Sequence, residues 1–321
     1  MAKKKSVSDK RFNKALAVLK KHYKKILRRK GVTGVDIGFK VEDDGTRTDQ
    51  LVIRVHVEEK LRKEDLHPNQ VFEKKIDGVP VTVMRRKGYI PLAKISAAQS
   101  GVGVKLRPGS KLRAGHNSGS FGTLGMIVDK LDARGGRHPK LLTNAHVVLG
   151  GKKKSELPSG AGVVQHYQGG NRTVGNVVNV ADSVFLNSFV DCALVTPVDT
   201  AKLIETIQGI DPQPTRFRDL DANDLNKVVH KYGAKTKLRS GVIDSITQFF
   251  SVPGNTFLMQ ISIIPERGKP VFSEGGDSGS VVVLDDAVVA LLHGVDDSGD
   301  IAIASPIGEV LRQLDFELYA P

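Results

Sequence analysis

Apolar positions at helical spacing mark the first element of the chain. They are Phe12, Leu16, Leu19, Tyr23, Ile26 and Leu27. Lysines fill many of the positions between them, and Gly31 follows as a helix stop signal. The pattern predicts an amphipathic helix over residues 8–29.

Three strand-like runs follow this helix, at residues 34–41, 50–60 and 78–84. In the second run, apolar and more polar positions alternate, which is the period of a half-buried strand. The acidic turn between the first two runs would close an antiparallel pair. We therefore expect a small α+β domain over residues 1–92, with a basic helical segment at 1–30 and a three-stranded sheet within 31–92.

Short strand-like runs punctuated by glycine dominate the chain from about residue 100 onward. Many short strands separated by turn signals are typical of an all-β sandwich or barrel. Two helices are predicted as exceptions, one around residues 201–208 and a final one at residues 306–319. The polar stretch at 197–224 separates an earlier set of strands from a later one.

The composition describes a folded protein that lacks a disulfide framework. The 321 residues are 40% hydrophobic and include a single cysteine, Cys192. Wholesale disorder and an internal disulfide are therefore excluded. The longest apolar run near the start has five residues, too few for a signal-peptide core or a membrane span. We expect a soluble protein, without a transmembrane segment, in the cytoplasm.

The net charge of +13 is concentrated at one end of the chain. Residues 1–30 hold 13 Lys and Arg against one acid, Asp9, so the rest of the chain is almost neutral. The basic helix could contact nucleic-acid phosphates, lie on an anionic membrane surface, or only cover the sheet of its own domain. No aromatic residues are interleaved in a way that would indicate reading of bases.

Three segments carry candidate chemistry. His146 follows a buried-looking strand, Asp191 lies in an apolar run, and Ser278 lies in a glycine-rich turn. A serine hydroxyl needs a neighbouring base before it can act as a nucleophile, and an imidazole can supply that base near neutral pH. A carboxylate could orient the imidazole. Each residue alone also has a structural interpretation: a surface turn for Ser278, a core histidine for His146, and a strand-edge aspartate for Asp191.

The three segments resemble the motifs of one protein family. The family is that of the chymotrypsin-fold (trypsin-like) serine proteases. Its histidine motif is similar to TNAHVV around His146, its aspartate motif to VDCALV around Asp191, and its nucleophile motif to GDSGS around Ser278. The chain order of the three motifs is also the same. Residues 228–243 resemble the opening hairpin of the second barrel of that family, and residues 289–295 its substrate-binding strand. Asp182 is a weaker candidate for the aspartate.

The resemblance implies a mainly β fold for residues 100–321. It implies two six-stranded antiparallel β-barrels, at about 100–197 and 225–305, followed by the C-terminal helix at 306–319. His146 and Asp191 would come from the first barrel and Ser278 from the second.

The resemblance also assigns roles. Ser278 would be the nucleophile, His146 the general base and acid, and Asp191 the orienting carboxylate, while the backbone N–H groups of Gly276 and Ser278 would bind the oxyanion. A protein or peptide substrate would pair as an extra strand beside Leu292, His293 and Gly294. Phe272, six residues before Ser278, would form the base of an apolar pocket, which favours uncharged side chains before the cleaved bond.

Two features depart from the secreted members of the family. Disulfides are absent, and no clear activation site precedes the first barrel. Asp277 could fix its turn through local hydrogen bonds, so constitutive or ligand-gated activity is favoured over zymogen cleavage. The sequence of residues 34–84 resembles the leader domain of an intracellular branch that includes bacterial members and the plant narrow-leaf type protease.

The sequence therefore predicts a serine endopeptidase that needs no metal or cofactor, since no metal or nucleotide motif is present. Two alternatives remain open. One is a catalytically silent peptide-binding or scaffold module. The other is a polyanion-binding protein with a vestigial protease domain. A homo-oligomer is compatible with the sequence.

Overall fold

A computed structural model gives the fold of the chain. It describes residues 9–42, 44–91, 105–115, 121–131, 136–152, 156, 162–167, 170–181, 184–185, 188–197, 202–252, 255–314 and 318–319. Within these ranges no helix is long and apolar enough to cross a membrane.

The described residues of the N-terminal part form one α-helix, two short 3-10 helices (Lys63–Asp65 and Pro68–Gln70) and five strands: α1 (Asp9–Leu27), β1 (Val32–Val41), β2 (Arg47–Val57), β3 (Lys75–Ile76), β4 (Val79–Arg85) and β5 (Tyr89–Pro91). In α1, Asp9 lies in the first turn and Lys24 and Lys25 in the last, which suits the helix dipole. The apolar stripe of α1 is buried against the sheet, so it serves the core of this part.

The N-terminal sheet contains strands at the three predicted runs, β1, β2 and β4, and a fourth short strand, β3, that pairs with β4 and was not predicted. β1 and β2 pair antiparallel, with Val35 opposite Val55. β4 then pairs parallel with β2. The charged stretch between β2 and β4 makes this crossover possible, because parallel neighbours cannot be joined by a tight turn.

The following part contains the strands β6 (Lys105–Leu106), β7 (Lys111–Ala114), β8 (Gly122–Thr123), β9 (Met126–Leu131), β10 (Arg137–Thr143), β11 (Gly162–Tyr167), β12 (Gly170–Ala181), β13 (Val184–Phe185), β14 (Ser188–Phe189), β15 (Cys192–Pro197) and β16 (Lys202–Leu203), and the helix α2 (Ala145–Leu149). The main sheet runs β9-β10-β15-β12-β11-β7-β8. Only residues 124 and 125 separate β8 from β9. The order therefore closes into a barrel of six strands when β8 and β9 count as one interrupted strand.

The last part contains β17 (Arg216–Phe217), β18 (Val228–Gly233), β19 (Lys237–Val252), β20 (Asn255–Pro265), β21 (Val281–Leu284), β22 (Ala287–Asp296), β23 (Ala302–Pro306), α3 (Ile307–Leu314) and β24 (Leu318–Tyr319). Strands run in the order β18-β21-β22-β23-β20-β19, and β18 also pairs with β19. These six strands form a second closed barrel. The mainly β architecture predicted for this part of the chain, with a helix after the last barrel strand, is confirmed.

Two helices differ from the prediction. α3 ends at Leu314 instead of Tyr319, and Leu318 and Tyr319 pair with β9 of the first barrel. The helix expected around residues 201–208 is absent from the described residues 202–208, where the short strand β16 pairs with β6. In both places strand pairing with a distant segment replaces the local helical pattern.

The second barrel joins both other parts of the molecule. β1 pairs with β19, with Val35 opposite Phe249, so the N-terminal sheet is continuous with the second barrel. A separate apolar cluster spans both barrels and α3, and includes Leu142, Leu194, Leu291 and Val310. The seam between the barrels is thus a packed surface that can hold side chains in fixed positions.

Candidate active site

His146 and Asp191 meet at the ends of two neighbouring strands. β10 ends at Thr143, α2 then carries His146 in its first turn, and β15 begins one residue after Asp191. The carboxylate receives two hydrogen bonds from the histidine: one from the backbone N–H at 3.0 Å to Oδ1, and one short contact between the ring Nδ1 and Oδ2. The Asn144 side chain donates to the Asp191 carbonyl at 2.6 Å and fixes the same corner.

Asp191 is buried, with 5% of its surface exposed. Burial by itself raises the pKa of this carboxyl, but the His146 imidazole and its hydrogen bonds outweigh burial and hold the pKa of Asp191 below its usual range. The ionised carboxylate can only accept hydrogen bonds, so Nδ1 carries the proton that points at it. In the neutral imidazole, Nε2 then carries the lone pair.

Ser278 lies in a tight turn between residue 274 and β21. The Asp277 N–H donates to the Glu274 carbonyl at 3.0 Å, and the Ser280 N–H donates to the Asp277 carbonyl at 3.0 Å. The Gly279 N–H donates to the Leu292 carbonyl of β22 at 2.8 Å. The backbone of Gly279 has φ +95°, and a Cβ there would lie 2.3 Å from the Thr123 carbonyl oxygen and 2.4 Å from Thr143 Oγ1. Only glycine fits, because the turn is pressed against the first barrel.

This close approach brings the serine turn to the histidine corner. The Thr123 N–H donates to the Ser278 carbonyl at 2.7 Å. A Cβ on Gly122 would lie 2.2 Å from Val147 Cγ2 and 2.8 Å from the Ser278 carbonyl oxygen, so the backbone of Gly122 passes between the two segments. Ser278 Oγ and His146 Nε2 are both buried, and neither has a hydrogen-bond partner among the described residues.

Asp277, the residue before the serine, is held by an internal ammonium group. The Lys231 Nζ on β18 lies 2.8 Å from Asp277 Oδ2, and both side chains are fully buried. The backbone N–H groups of Lys235 and Thr236 donate to Asp277 Oδ1 at 2.9 Å and 3.0 Å, and that of Glu274 donates to Oδ2 at 3.1 Å.

The charges of this pair depend on each other. Burial raises the pKa of Asp277, but the Lys231 ammonium and the bonds from Thr236 lower it below the usual range. Burial also lowers the pKa of Lys231, an effect that the Asp277 carboxylate opposes. The expectation of local bonds at Asp277 was therefore incomplete, because most of its partners lie more than 40 residues away.

The other side of the turn presents backbone N–H groups that are not used in the hydrogen bonds of the turn. The Thr123 hydroxyl donates to the Gly276 carbonyl at 2.8 Å, which fixes the orientation of that peptide, and Gly276 has φ +107°. Among the described residues, no group accepts a hydrogen bond from the backbone N–H of Gly276 or of Ser278.

The residues predicted to contact substrate lie in two places. Leu292, His293 and Gly294 are on β22, directly beside the serine turn. Phe272 is buried in the core shared by the second barrel and the N-terminal part, where its ring lies against the backbone of Gly241. Its role at the base of a pocket stays a prediction.

His293 is a buried neutral histidine close to the site. It lies within electrostatic range of His146 and Asp191, and burial lowers its pKa to about 4. Its Nε2 lies 2.9 Å from Gln260 Oε1, which can only accept, so Nε2 carries the ring proton. The same Gln260 oxygen accepts from the Ser305 hydroxyl at 3.0 Å.

Sequence reasoning missed Lys231 and Thr123 as parts of this site. The available signal for Lys231 was its place two residues after Val229, on the same face of β18, whereas nothing local marks Thr123. Asp182, the weaker candidate for the aspartate, lies outside the described residues. In the part of the chain that the structure describes, no group of three His, Cys, Asp or Glu side chains is placed to bind a metal ion.

Comparison with known proteins gives distant similarity to solved proteases. No protein-family model matches the chain, and no curated protein matches it either. A glutamic-acid-specific serine protease, described as using a histidine triad in substrate binding, is 17% identical with a TM-score of 0.49, covering 67% of this chain and 100% of that protein. Protease A of Thermobifida fusca is 17% identical with a TM-score of 0.47, covering 68% and 100%. A chymotrypsin of Cellulomonas bogoriensis is 17% identical with a TM-score of 0.44, covering 68% and 98%.

Proposed function

We propose that the protein is a serine endopeptidase whose active site is formed by Ser278, His146 and Asp191. The observation that carries this proposal is the partly buried His146–Asp191 pair at the serine turn, together with the Ser278 Oγ and His146 Nε2 atoms, which have no partner among the described residues. A carboxylate buried in this way fixes the tautomer of the imidazole. A hydroxyl and a ring nitrogen that lack other partners can then exchange a proton during the reaction.

The reaction proceeds through an ester on Ser278. The hydroxyl oxygen attacks the carbonyl carbon of the peptide bond while its proton passes to His146 Nε2. The backbone N–H groups of Gly276 and Ser278 donate to the oxyanion, and loss of one such donor costs about 3 kcal/mol of transition-state stabilisation. His146 gives the proton to the leaving amine, and water then cleaves the ester by the reverse proton path.

The turn that carries Ser278 is formed without cleavage of the chain. Lys231 supplies the positive charge that Asp277 needs, and it does so from within the second barrel. The uncleaved chain is therefore expected to hold its nucleophile in a competent position, which supports a protease that is active without an activation step at this turn.

The proposal extends to the substrate of the protein and to its location in the cell. The substrate is a protein or peptide that adds as a strand beside β22, and the protein acts in the cytoplasm, in keeping with its buried, unpaired Cys192. The apolar face of α1 is used in packing, while its lysines face outward. This arrangement is compatible with a contact to a polyanion and less so with insertion of the helix into a membrane.

Active-site labelling tests the proposal. A fluorophosphonate probe should label the wild-type protein on Ser278, as located by peptide mass spectrometry. Ser278→Ala and His146→Ala should lose the label, and Asp191→Asn should lower kcat on a peptide substrate by roughly 10⁴-fold.

Ser251→Ala is the matched control, because Ser251 is an exposed serine on β19. It should label like the wild type. A folded wild-type protein that takes up no probe, or label that persists in Ser278→Ala, would contradict the proposed function.

A further inference from the structure

Both edges of β22 beside the serine turn are already paired within the chain. β23 covers one edge as far as Val295. On the other edge, the Leu292 N–H donates to the Ser280 carbonyl at 2.9 Å, and the Leu292 carbonyl accepts from the Gly279 N–H at 2.8 Å. Further along that same edge, β5 pairs antiparallel with residues 294–296 of β22.

A substrate strand would need the edge that β5 occupies. His293 is the one residue of β22 between Leu292, which is bonded to the serine turn, and Gly294, which is paired with β5. The proposed substrate adds to β22 as a strand, and successive residues of a strand advance by about 3.3 Å. A peptide that reacts at Ser278 and extends along this edge therefore reaches Gly294 about two residues from the serine turn.

β5 and an extended substrate exclude each other on this edge. Pro91 of β5 lies opposite Gly294, and Ile90 lies opposite Val295. Neighbouring strands lie about 4.8 Å apart, so a second strand cannot occupy the same side of these two residues. A strand edge pairs with one partner at a time, and here the partner belongs to the N-terminal part of the same chain.

A row of stacked rings connects β5 to the active site. The Tyr89 side chain is buried, and its ring lies 4.2 Å from that of Phe250 between centroids. Phe250 stacks on Phe257 at 4.7 Å, and Phe257 stacks on the His293 ring at 5.4 Å. β5 has only three residues, and a substrate strand would replace their backbone pairings. The Tyr89 ring is therefore the contact that an incoming strand would not replace.

We propose that β5 is an autoinhibitory strand, which occupies the part of the β22 edge that an extended substrate needs and must leave that edge before such a substrate binds. This rests on the proposed function and names how access to that site is regulated. An extended peptide binds only the fraction of molecules in which β5 is displaced, so its apparent dissociation constant rises by the inverse of that fraction. A small reagent that needs only Ser278 and His146 is not excluded.

A disulfide between β5 and β22 tests this inference. Ile90→Cys with Val295→Cys places two thiols on directly opposed residues, a spacing that a cross-strand disulfide can bridge. In the oxidised form, kcat/KM for an extended peptide with uncharged residues on both sides of the cleaved bond should fall by about tenfold or more, and reductant should restore it. Fluorophosphonate labelling of Ser278 should proceed equally fast in both forms. The native Cys192 does not compete, because it is fully buried.

His230→Cys with Ser240→Cys is the matched control for the disulfide. These residues are also directly opposed, on β18 and β19, and neither of those strands pairs with β22. The oxidised and reduced forms of this control should hydrolyse the extended peptide equally fast. If the oxidised Ile90→Cys/Val295→Cys protein hydrolyses the peptide as fast as its reduced form, β5 does not block the edge and the inference is overturned.

Tyr89→Ala gives the opposite change, because it weakens the hold on β5. KM for the extended peptide should fall by about threefold or more with kcat unchanged, since more molecules are open. Tyr23→Ala is its control and should leave KM unchanged, because it removes a ring that α1 places on Phe249, at 5.0 Å between centroids. An unchanged KM in Tyr89→Ala would count against the inference and, if the protein still labels with fluorophosphonate, leave the proposed function standing. A protein that labels in none of these forms would overturn both.

Discussion

The buried Lys231–Asp277 pair is the side-chain contact on which the serine turn most depends. Both groups are fully buried, so each is charged only because the other is present. The pair connects β18 to the turn and places a positive charge beside Asp277 from within the second barrel.

Breaking this pair should affect both stability and activity. Lys231→Met leaves Asp277 as an uncompensated buried charge, which should lower the free energy of unfolding by about 3–5 kcal/mol. Because the serine turn loses its contact with Lys231, the rate of fluorophosphonate labelling should fall as well. Urea denaturation and labelling kinetics measure the two effects.

Lys235→Met is the control for this change, because the neighbouring lysine contacts Asp277 through its backbone N–H. It should leave both quantities near the wild-type values. Equal stability and equal labelling in Lys231→Met would show that the ion pair does not hold the turn.

Among the elements, β1 and β2 are bound to the second barrel by a buried charged cluster. Arg54 of β2 is fully buried and makes paired hydrogen bonds to Asp36 of β1, at 2.7 Å and 2.6 Å, and to Asp244 of β19, at 2.9 Å. Arg86 adds a bond of 2.9 Å to Asp244. Such bidentate pairs have strict geometry, so they fix the register of the N-terminal strands on the barrel.

Removing the central guanidinium should loosen this junction. Arg54→Met leaves Asp36 and Asp244 with fewer partners in a buried site, so the free energy of unfolding should fall by about 3–5 kcal/mol. Arg216→Met removes a comparable bidentate pair with Asp286 that is exposed on the surface. That variant should lose far less stability than Arg54→Met, because water and salt screen an exposed pair.

Urea unfolding curves of the two variants give the comparison. A loss in Arg54→Met no larger than that in Arg216→Met would mean that the cluster does not hold the N-terminal part to the barrel. In that case the backbone pairing of β1 with β19 alone would account for the junction.

At the scale of the whole molecule, two buried histidines lie close to the places where its parts meet. His56 lies where the N-terminal sheet meets the second barrel, and His293 lies near the seam of the two barrels. Burial lowers the pKa of each to about 4, with the Arg86 charge adding to the effect at His56. Both are therefore neutral in the folded protein near pH 7.

Stability should consequently fall in mild acid. In the unfolded chain both histidines bind a proton as the pH falls below about 6.5, whereas in the folded protein they resist until about pH 4. The stabilising effect is thus complete above pH 6.5 and is lost progressively toward pH 4, by roughly 3 kcal/mol for each histidine.

Urea denaturation at several values between pH 6.5 and 5 measures this slope, above the range in which carboxylates titrate. His56→Gln should reduce the slope by about half, because one of the two groups no longer titrates. His230→Gln, which changes an exposed histidine, should leave the slope as it is. A wild type with no slope in this range would contradict the neutral state of these buried side chains.

Local sequence patterns predicted most of the elements of this protein and marked its candidate site. The helical spacing of Phe12 to Leu27 predicted α1 within two residues, alternation predicted β2, and short strand-like runs predicted β1 and β4, because these signals depend on neighbours a few positions apart. The motifs around His146, Asp191 and Ser278 marked the candidate site, since each needs only a short stretch of defined residue types.

Tertiary structure alone decided how these pieces are joined. The pairing of Val35 with Phe249, of Ile90 with Val295, and of Lys231 with Asp277 connects residues between 46 and 214 positions apart. No local pattern records such contacts, because a strand edge or a buried charge is satisfied by whichever partner the packed fold brings to it. For the same reason, Leu318 and Tyr319 pair with the edge strand β9 of the first barrel, although the local sequence pattern favoured a longer C-terminal helix.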